Sequence, residues 1–289
     1  MGGREAIYVE EKNIWVIGGD RRQVYLANLL REDGHTVHTV GLKEGEGDLE
    51  DLSLAHCVIL PLPVLGKNRL IHTPLSRESI PLSRVLDHMR PEQILCGGLV
   101  SPEVRQAGED RGIRVFDYYA REECMVANAV PTAEGAVQVA MEQLPFTLHG
   151  TRVLILGFGR VGKLTAHRME ALGARVTVAA KEYADLAWAA AYHYESIRLE
   201  DLNCELGGFQ LIVNTIPAQI LDARRLNWVN PEVFILDLAS APGGVDCARG
   251  EELGLRILQA PGLPGRTAPV TAAGAIRDSV YHILWELEE

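Results

Sequence analysis

Apolar runs of four or five residues alternate with longer stretches of helical spacing along almost the whole chain. In the first half the strand-like runs are Asn13 to Ile17, Thr36 to Val40, His56 to Leu60, Gln93 to Cys96 and Ile113 to Phe116. In the second half they are Arg152 to Leu156, Arg175 to Ala179, Gln210 to Val213, Val233 to Asp237 and Leu255 to Leu258. Such alternation predicts parallel sheets with helices on both faces, so the chain reads as α/β with two doubly wound domains in tandem. Between them Val137, Ala140, Met141 and Leu144 share one face of an expected interdomain helix over 129–145. Pro131 suits the start of that helix and Thr132 its cap. The final run, Ala272 to Leu287, repeats Ile276, Val280, Ile283, Leu284 and Leu287 at helical spacing and is expected to return to the first domain. The expected domains are therefore a substrate-binding domain over 1–128, with 272–289 packed on it, and a nucleotide-binding domain over 146–271.

The candidate chemistry starts at Gly157-Phe158-Gly159-Arg160-Val161-Gly162, which follows the apolar run Val153 to Leu156 and opens a helical segment. A lone G-x-G-x-x-G is weak in a chain with 28 Gly, but strand before and helix after are what dinucleotide binding requires. The first glycine makes the turn, the second admits the pyrophosphate and the third lets helix pack on strand, with free amides of the helix start facing the phosphates. Both domains are thus expected to be Rossmann-like, the second binding NADP or NAD. NAD enzymes place Asp or Glu at the tip of the second strand; here Lys181 stands there, which suits a 2′-phosphate better, while Glu182 one residue on could serve a 2′-hydroxyl. Asn214-Thr215-Ile216-Pro217 and Ala239-Ser240 end two further strands and are expected to line the nicotinamide end. Asn214 and Ser240 would offer hydrogen bonds there.

Composition narrows the partners. A formal charge of −11 repels polyanions, which argues against nucleic acid or an anionic membrane surface and requires locally placed cations for any anionic ligand. The five cysteines, Cys57, Cys96, Cys124, Cys204 and Cys247, form no metal-ligand or redox spacing, and a reducing cytoplasm is expected. Met1 to Asp20 is broken by Arg4, Glu5, Glu10, Glu11 and Lys12 and carries no leader core; no apolar run approaches a membrane span. Oligomeric state is left open.

For the substrate, Gly18-Gly19-Asp20-Arg21-Arg22 sits where a strand turns into a helix but has only two glycines. It reads as a site for a smaller anion, held by helix-start amides and an Arg fork, with Asp20 and Arg21 ahead of Arg22. Arg266, in the Pro/Gly-punctuated loop Ala260 to Pro269, is the corresponding cation of the second domain. Asn128, Thr132 and Glu134 fall at the expected hinge; Asn128 would orient substrate, and Thr132, Glu134 and Ser240 are the candidates for catalysis. For Glu134 the competing account is a helix-start carboxylate facing the helix dipole. Asp117 and Arg121 follow the last strand of the first domain. The nine histidines are scattered, and nothing forms a Ser-His-Asp or metal constellation.

Taken in order, Gly18-Gly19-Asp20-Arg21-Arg22, Pro131-Thr132-Ala133-Glu134-Gly135, the glycine turn, Asn214-Thr215-Ile216-Pro217, the stretch Leu236 to Asp246 and Ala260-Pro261-Gly262-Leu263-Pro264-Gly265 resemble the dipicolinate synthase A subunits of spore-forming bacteria. The resemblance implies oxidation of dihydrodipicolinate, or its hydroxylated tetrahydro form, to dipicolinate with NAD(P). It also implies a partner, the flavoprotein-like B subunit, and the mother cell of a sporulating bacterium as the compartment. The histidine that 2-hydroxyacid dehydrogenases carry near the last strand has no counterpart. Two alternatives stay open: another NAD(P)-dependent amino-acid or hydroxy-acid dehydrogenase, and a non-catalytic nucleotide-sensing module.

Overall fold

Among the described residues eleven short strands, the inner ones buried along most of their length and the edge ones half-exposed, assemble into two wholly parallel sheets. The structure, a computed structural model, describes residues 10–43, 46–66 and 68–288; Arg4 and Glu5, counted above against a leader, lie outside them. The chain divides into two units, the described parts of Met1–Ala127 with Pro269–Glu289, and Asn128–Ala268.

In the first unit β1 (Asn13–Ile17), β2 (Thr36–Val40), β3 (Cys57–Ile59), β4 (Ile94–Gly97) and β5 (Arg114–Asp117) lie in the order β2-β1-β3-β4-β5. The pleat sends alternate side chains to opposite faces. Ile14, Val16, Cys57, Ile59 and Cys96 face one core, and Trp15, Ile17, Val58, Leu60 and Leu95 the other. The first core is closed by α1 (Arg21–Glu32) and the C-terminal helix, whose Ala273, Ile276, Val280, Ile283 and Leu284 pack with Leu26, Ala27 and Leu30. The second core is covered by α2 (Leu82–His88) and α3 (Pro102–Glu109).

Helix α4 (Glu122–Gln143) begins earlier than the sequence pattern predicts. Pro131 and Thr132 are interior, not the start and cap. The proline forfeits one backbone bond, which costs ~3 kcal/mol in an exposed helix, but here it is buried. The Thr132 hydroxyl donates back to the Asn128 carbonyl at 2.9 Å, a use of the side chain within its own helix. From Asn128 on, α4 belongs to the second unit and gives Ala136, Val139 and Ala140 to its core, joined by Leu144 just after it, so the expected interdomain helix over 129–145 is counted with that unit.

The second unit has β6 (Arg152–Leu156), β7 (Arg175–Ala180), β8 (Glu195–Arg198), β9 (Leu211–Asn214), β10 (Phe234–Asp237) and β11 (Arg256–Gln259), ordered β11-β10-β9-β6-β7-β8. Numbered within the unit this is 3-2-1-4-5-6, the dinucleotide-binding order. Helices α5 (Arg160–Ala171) and α6 (Tyr183–Ala191) follow β6 and β7; α7 (Ala223–Leu226), α8 (Cys247–Glu252) and α9 (Leu263–Thr267) are short. Strand β8 is missing from the sequence pattern, because an edge strand with two exposed residues at its start lacks an apolar run. The segment expected as a rigid loop over 260–269 instead holds α9 and the first residue of α10 (Pro269–Glu286).

The seam between α1 and α10 ends in a chain of hydrogen bonds. The Lys12 amide donates to His35 Nδ1 at 3.2 Å, which leaves the ring proton on Nε2 to face the Tyr281 hydroxyl at 3.0 Å. That hydroxyl donates to Asp33 at 2.8 Å. Burial, with the nearby Lys12 charge, holds the His35 pKa below its ordinary value. The unfolded chain therefore takes up this proton first, and the stabilisation is present above pH about 6.5 and lost as pH falls from there toward the folded value. In denaturant titrations unfolding stability should decline below that pH, and His35→Gln should flatten this part of the curve; an unchanged slope in the variant would refute the assignment.

Candidate nucleotide site and the second glycine turn

Beyond the carboxyl ends of β6 and β9, neighbouring strands whose connections leave in opposite directions, an open α/β sheet forms its ligand crevice. Leu156 pairs with Asn214 across that point, and both strands run directly into the two candidate motifs.

Each glycine of the first motif meets a different constraint. Gly157 turns the chain at φ +90°, and a methyl group there would lie 2.7 Å from Thr215 Oγ1 and from Ile216 Cγ1. A methyl at Gly162 would lie 2.2 Å from the Gly157 carbonyl oxygen, so α5 can approach the turn only without a side chain. A methyl at Gly159 meets nothing within 4 Å. Gly159 is also the N-cap of α5, and no side chain among the described residues caps that helix. Among the described residues no side chain accepts from the amides of Val161 and Gly162, which follow in the first turn beside the sheet switch point. A nucleotide pyrophosphate fits this cradle by charge and by room.

The glycine turn of the first unit differs in the respect that matters. Asp20 caps α1, accepting from the Arg22 amide at 2.9 Å, and Gln23 Oε1 returns to the Asp20 amide at 3.1 Å. This is a capping box, so the helix-start amides expected to hold a small anion are already occupied by the protein's own side chains. The two arginines are placed differently. Arg21 is exposed, whereas Arg22 is 7% exposed, forks onto both Asp20 oxygens at 2.8 to 3.2 Å and donates to the Leu62 carbonyl at 2.7 Å. Burial pushes the Asp20 carboxyl up, but the hydrogen bonds and charge of Arg22 outweigh it and its pKa lies below the usual value. Arg22 thereby ties the β1 turn to the segment after β3, the switch point of that sheet.

Several second-unit candidates prove to be framework. Asn214 is fully buried, donating to the Ile216 carbonyl at 3.0 Å and to Asp237 at 2.8 Å while accepting from the Ile216 amide. Its polar atoms are spent on shaping the loop rather than offered to a ligand. Thr215 donates its hydroxyl to the Leu156 carbonyl at 2.9 Å. The Phe158 ring lies in the core, edge-on to Tyr194 at 5.9 Å, so only its backbone reaches the turn. Ala239 is buried; Ser240 and Pro217 are exposed and Ile216 and Val161 half-buried. Arg160 stands exposed at the start of α5. Lys181 and Glu182 are both about three-quarters exposed and 3.9 Å apart.

Glu134 is mid-helix, not at a helix start, and pairs with Arg168 at 3.2 Å. Arg168 lies in the last turn of α5, about 12 Å along the axis from the glycine turn at 1.5 Å per residue; the Glu134 carboxylate is engaged there, and the Thr132 hydroxyl within α4. Asn128 is half-buried on α4, and Arg266 is exposed on α9. Asp117 accepts from the amides of Leu99, Val100, Tyr119 and Ala120, and Arg121 pairs with Glu123 and Glu286; both are structural. Sequence reasoning overlooked Asp237. This carboxylate is 1% exposed and accepts from Asn214, from the Ala239 amide at 3.1 Å and from the Gly244 amide at 2.9 Å. A strand-end Asp followed by Gly243-Gly244 was the available signal.

Two doubly wound sheets, one ending in an uncapped glycine turn, define a two-domain nucleotide-binding protein of the dehydrogenase type. The family model of the N-terminal domain of dipicolinate synthase A subunits matches residues 13–119, and that of the NAD-binding domain of D-isomer specific 2-hydroxyacid dehydrogenases matches 125–243. The dipicolinate synthase A subunit of Bacillus subtilis (strain 168) is 29% identical over 286 residues, covering 95% of this chain and 96% of that one. The crystal structure of the corresponding protein from Bacillus halodurans superposes with a TM-score of 0.86 at 30% identity, over 94% of this chain and 97% of that. The crystal structure of the Bacillus subtilis protein gives 0.86 at 29%, over 97% and 98%. The chain belongs to the family of dipicolinate synthase A subunits.

Two substitutions test the site. Gly159→Asp has room for its side chain but puts a carboxylate where phosphate would lie; it should leave the melting temperature nearly unchanged and reduce NAD(P) affinity at least ~100-fold, since it sets like charges together at a helix start. Unchanged affinity in calorimetry would refute the site. Asp237→Ala strands Asn214 and two buried amides, each costing about 1 to 3 kcal/mol. It should lower unfolding free energy by roughly 3 kcal/mol or more, and a loss under about 1 kcal/mol would show that the loop does not depend on it.

Proposed function

We propose that this chain is the oxidoreductase subunit that forms dipicolinate from dihydrodipicolinate, or from its hydroxylated tetrahydro form, with NAD(P). The observation that carries the nucleotide part is the start of α5, where Gly159 brings no capping side chain and leaves room above it, in contrast to the start of α1, which Asp20 and Gln23 close in a capping box. The substrate part rests on family membership that spans nearly the whole length of both chains.

The chemistry suits a site with so few acid–base groups. Dihydrodipicolinate loses a hydride and a proton to become an aromatic ring, so the product supplies driving force; the hydroxylated form loses water as well. NAD(P), when bound, supplies the hydride acceptor. The chain's own tasks are then to orient a small dianion and to neutralise its carboxylates. In the nucleotide-binding unit the exposed Arg266 is the cation proposed for a substrate carboxylate, with Asn128 proposed to orient the ring and Ser240 to contribute a hydroxyl; in the other unit Asp20 and Arg22 fix the frame that presents Arg21, its exposed candidate cation. The proposal includes the flavoprotein-like B subunit for a partner and spore formation, in the mother-cell cytoplasm, for the setting. No helix among the described residues is long and apolar enough to cross a membrane.

The 2-hydroxyacid dehydrogenase match over 125–243 keeps a second reading in view, in which the same frame oxidises a 2-hydroxy or amino acid. Dipicolinate formation is followed by its ultraviolet absorbance with the purified chain and NADP or NAD, in the presence and in the absence of the flavoprotein-like partner. Product with the dihydropyridine dicarboxylate and none from lactate or alanine is expected. Turnover confined to the latter substrates would replace the proposal with the second reading.

A further inference from the structure

Strands β7 and β8 run parallel, so their carboxyl ends share the sheet edge that carries the glycine turn. Ala180 is in register with Arg198, and the amide of Leu199 donates to the Ala180 carbonyl at 3.1 Å. Arg198 therefore stands one strand away from the tip at which Lys181 follows. The chain after it is pinned, because Arg225 donates to the Leu199 carbonyl at 2.8 Å. The Arg198 guanidinium lies 5.0 Å from the centre of the Tyr183 ring, and Tyr183 is the first residue of α6, 70% exposed. Resting a guanidinium on an aromatic face fixes the plane of its fork. Its Nε is buried and has no hydrogen-bond partner among the described residues, and its only ion-pair partner among them is Glu200, a carboxylate 63% exposed.

We propose that Arg198, seated on Tyr183 and acting with Lys181, selects NADP over NAD by receiving the 2′-phosphate. This rests on the nucleotide reading given above. The tip of the second strand of such a unit is where the adenosine ribose is read, and here one cation, Lys181, follows that tip and another, Arg198, stands at the end of the neighbouring strand. A guanidinium held on an aromatic ring and paired only with an exposed carboxylate matches a phosphate dianion, whereas a ribose hydroxyl needs an acceptor there. The carboxylates able to play that part, Glu182 and Glu200, are exposed. Their pairs with Lys181 and Arg198 are of the solvent-screened kind that a dianion outcompetes.

Calorimetric titration of the whole chain with NADP and with NAD, at one fixed salt concentration, tests the assignment. The unmodified chain should bind NADP at least ~10-fold more tightly than NAD, as expected for a charge-assisted, bidentate contact. Arg198→Ala should lose roughly 10- to 100-fold in NADP affinity and less than about 2-fold in NAD affinity, with Arg198→Lys between the two because it keeps charge without the fork. Glu200→Gln, which removes the competing carboxylate and leaves the arginine, should tighten NADP about 2- to 5-fold without helping NAD, and it decides the matter should Arg198→Ala fail to fold. Equal losses for both nucleotides, or an unmodified chain that prefers NAD, would overturn the role of Arg198 and leave the nucleotide site standing. Binding of neither nucleotide to the unmodified chain would overturn the nucleotide reading itself.

Discussion

A helix start leaves backbone donors that something must satisfy, and this requirement separates the two halves of the molecule. Both sheets end a strand in a glycine turn that feeds a helix, and both turns sit at a switch point. In the first unit Asp20 and Gln23 satisfy the amides reciprocally and Arg22 neutralises Asp20. In the second unit Gly159 brings no side chain, and the space over it is open. Unsatisfied amides at a dipole's positive end are costly to bury and inexpensive to leave open, so the start of α5 is the one of the two that suits an anion.

The loops around that place are held by buried polar groups. Asp237 and Asn214 bond each other at the tips of adjacent strands and together take up the amides of Ile216, Ala239 and Gly244. Low-dielectric surroundings strengthen such a network and make any missing member expensive. The same device recurs in the first unit, where Arg22 bridges Asp20 and the Leu62 carbonyl and the Tyr118 hydroxyl donates to the Leu60 carbonyl at 3.1 Å. In each unit the groups nearest the switch point are spent on holding the backbone still. The candidate side chains left exposed are Arg21 in one unit and Lys181, Ser240 and Arg266 in the other.

Most of the strands were legible in the sequence because a strand buried on both faces is a run of apolar residues, and Val153 to Leu156 can hardly be read otherwise. The glycine turn was legible because its three positions are constrained by close approach rather than by side-chain chemistry. Position along a strand was less so: β8 begins with exposed residues, and Arg198 drew no notice until the register with Ala180 set it beside Lys181. The interior of α4 misled because Pro131 with Thr132 is a good local imitation of a helix start, and only burial of the proline reveals the override. Asp20 and Gln23 were readable as a capping box from spacing alone. Two glycines in front of them drew attention to the turn and away from the cap. No local pattern distinguishes Arg21 from Arg22; one residue of helix, a rotation of about 100°, puts one in solvent and the other under the Leu62 carbonyl.

The charge distribution ties these observations together. With a formal charge of −11, the chain as a whole repels the anions it is proposed to bind, so affinity has to come from short-range groups, and discrimination with it. The amides of α5 offer no preference between the two nucleotides, because both carry a pyrophosphate. Preference must arise where the ligands differ, at the far ribose, and that is where the sheet edge gathers Lys181, Arg198, Glu182 and Glu200. Placing cations and carboxylates there in weak mutual pairs keeps the edge close to neutral until a ligand arrives. A phosphate engages the cations and releases the carboxylates to water, whereas a bare hydroxyl must disturb the same pairs for a single hydrogen bond. The edge of β8, poor in apolar signal, is thus the part of the fold on which the proposed choice of cofactor turns.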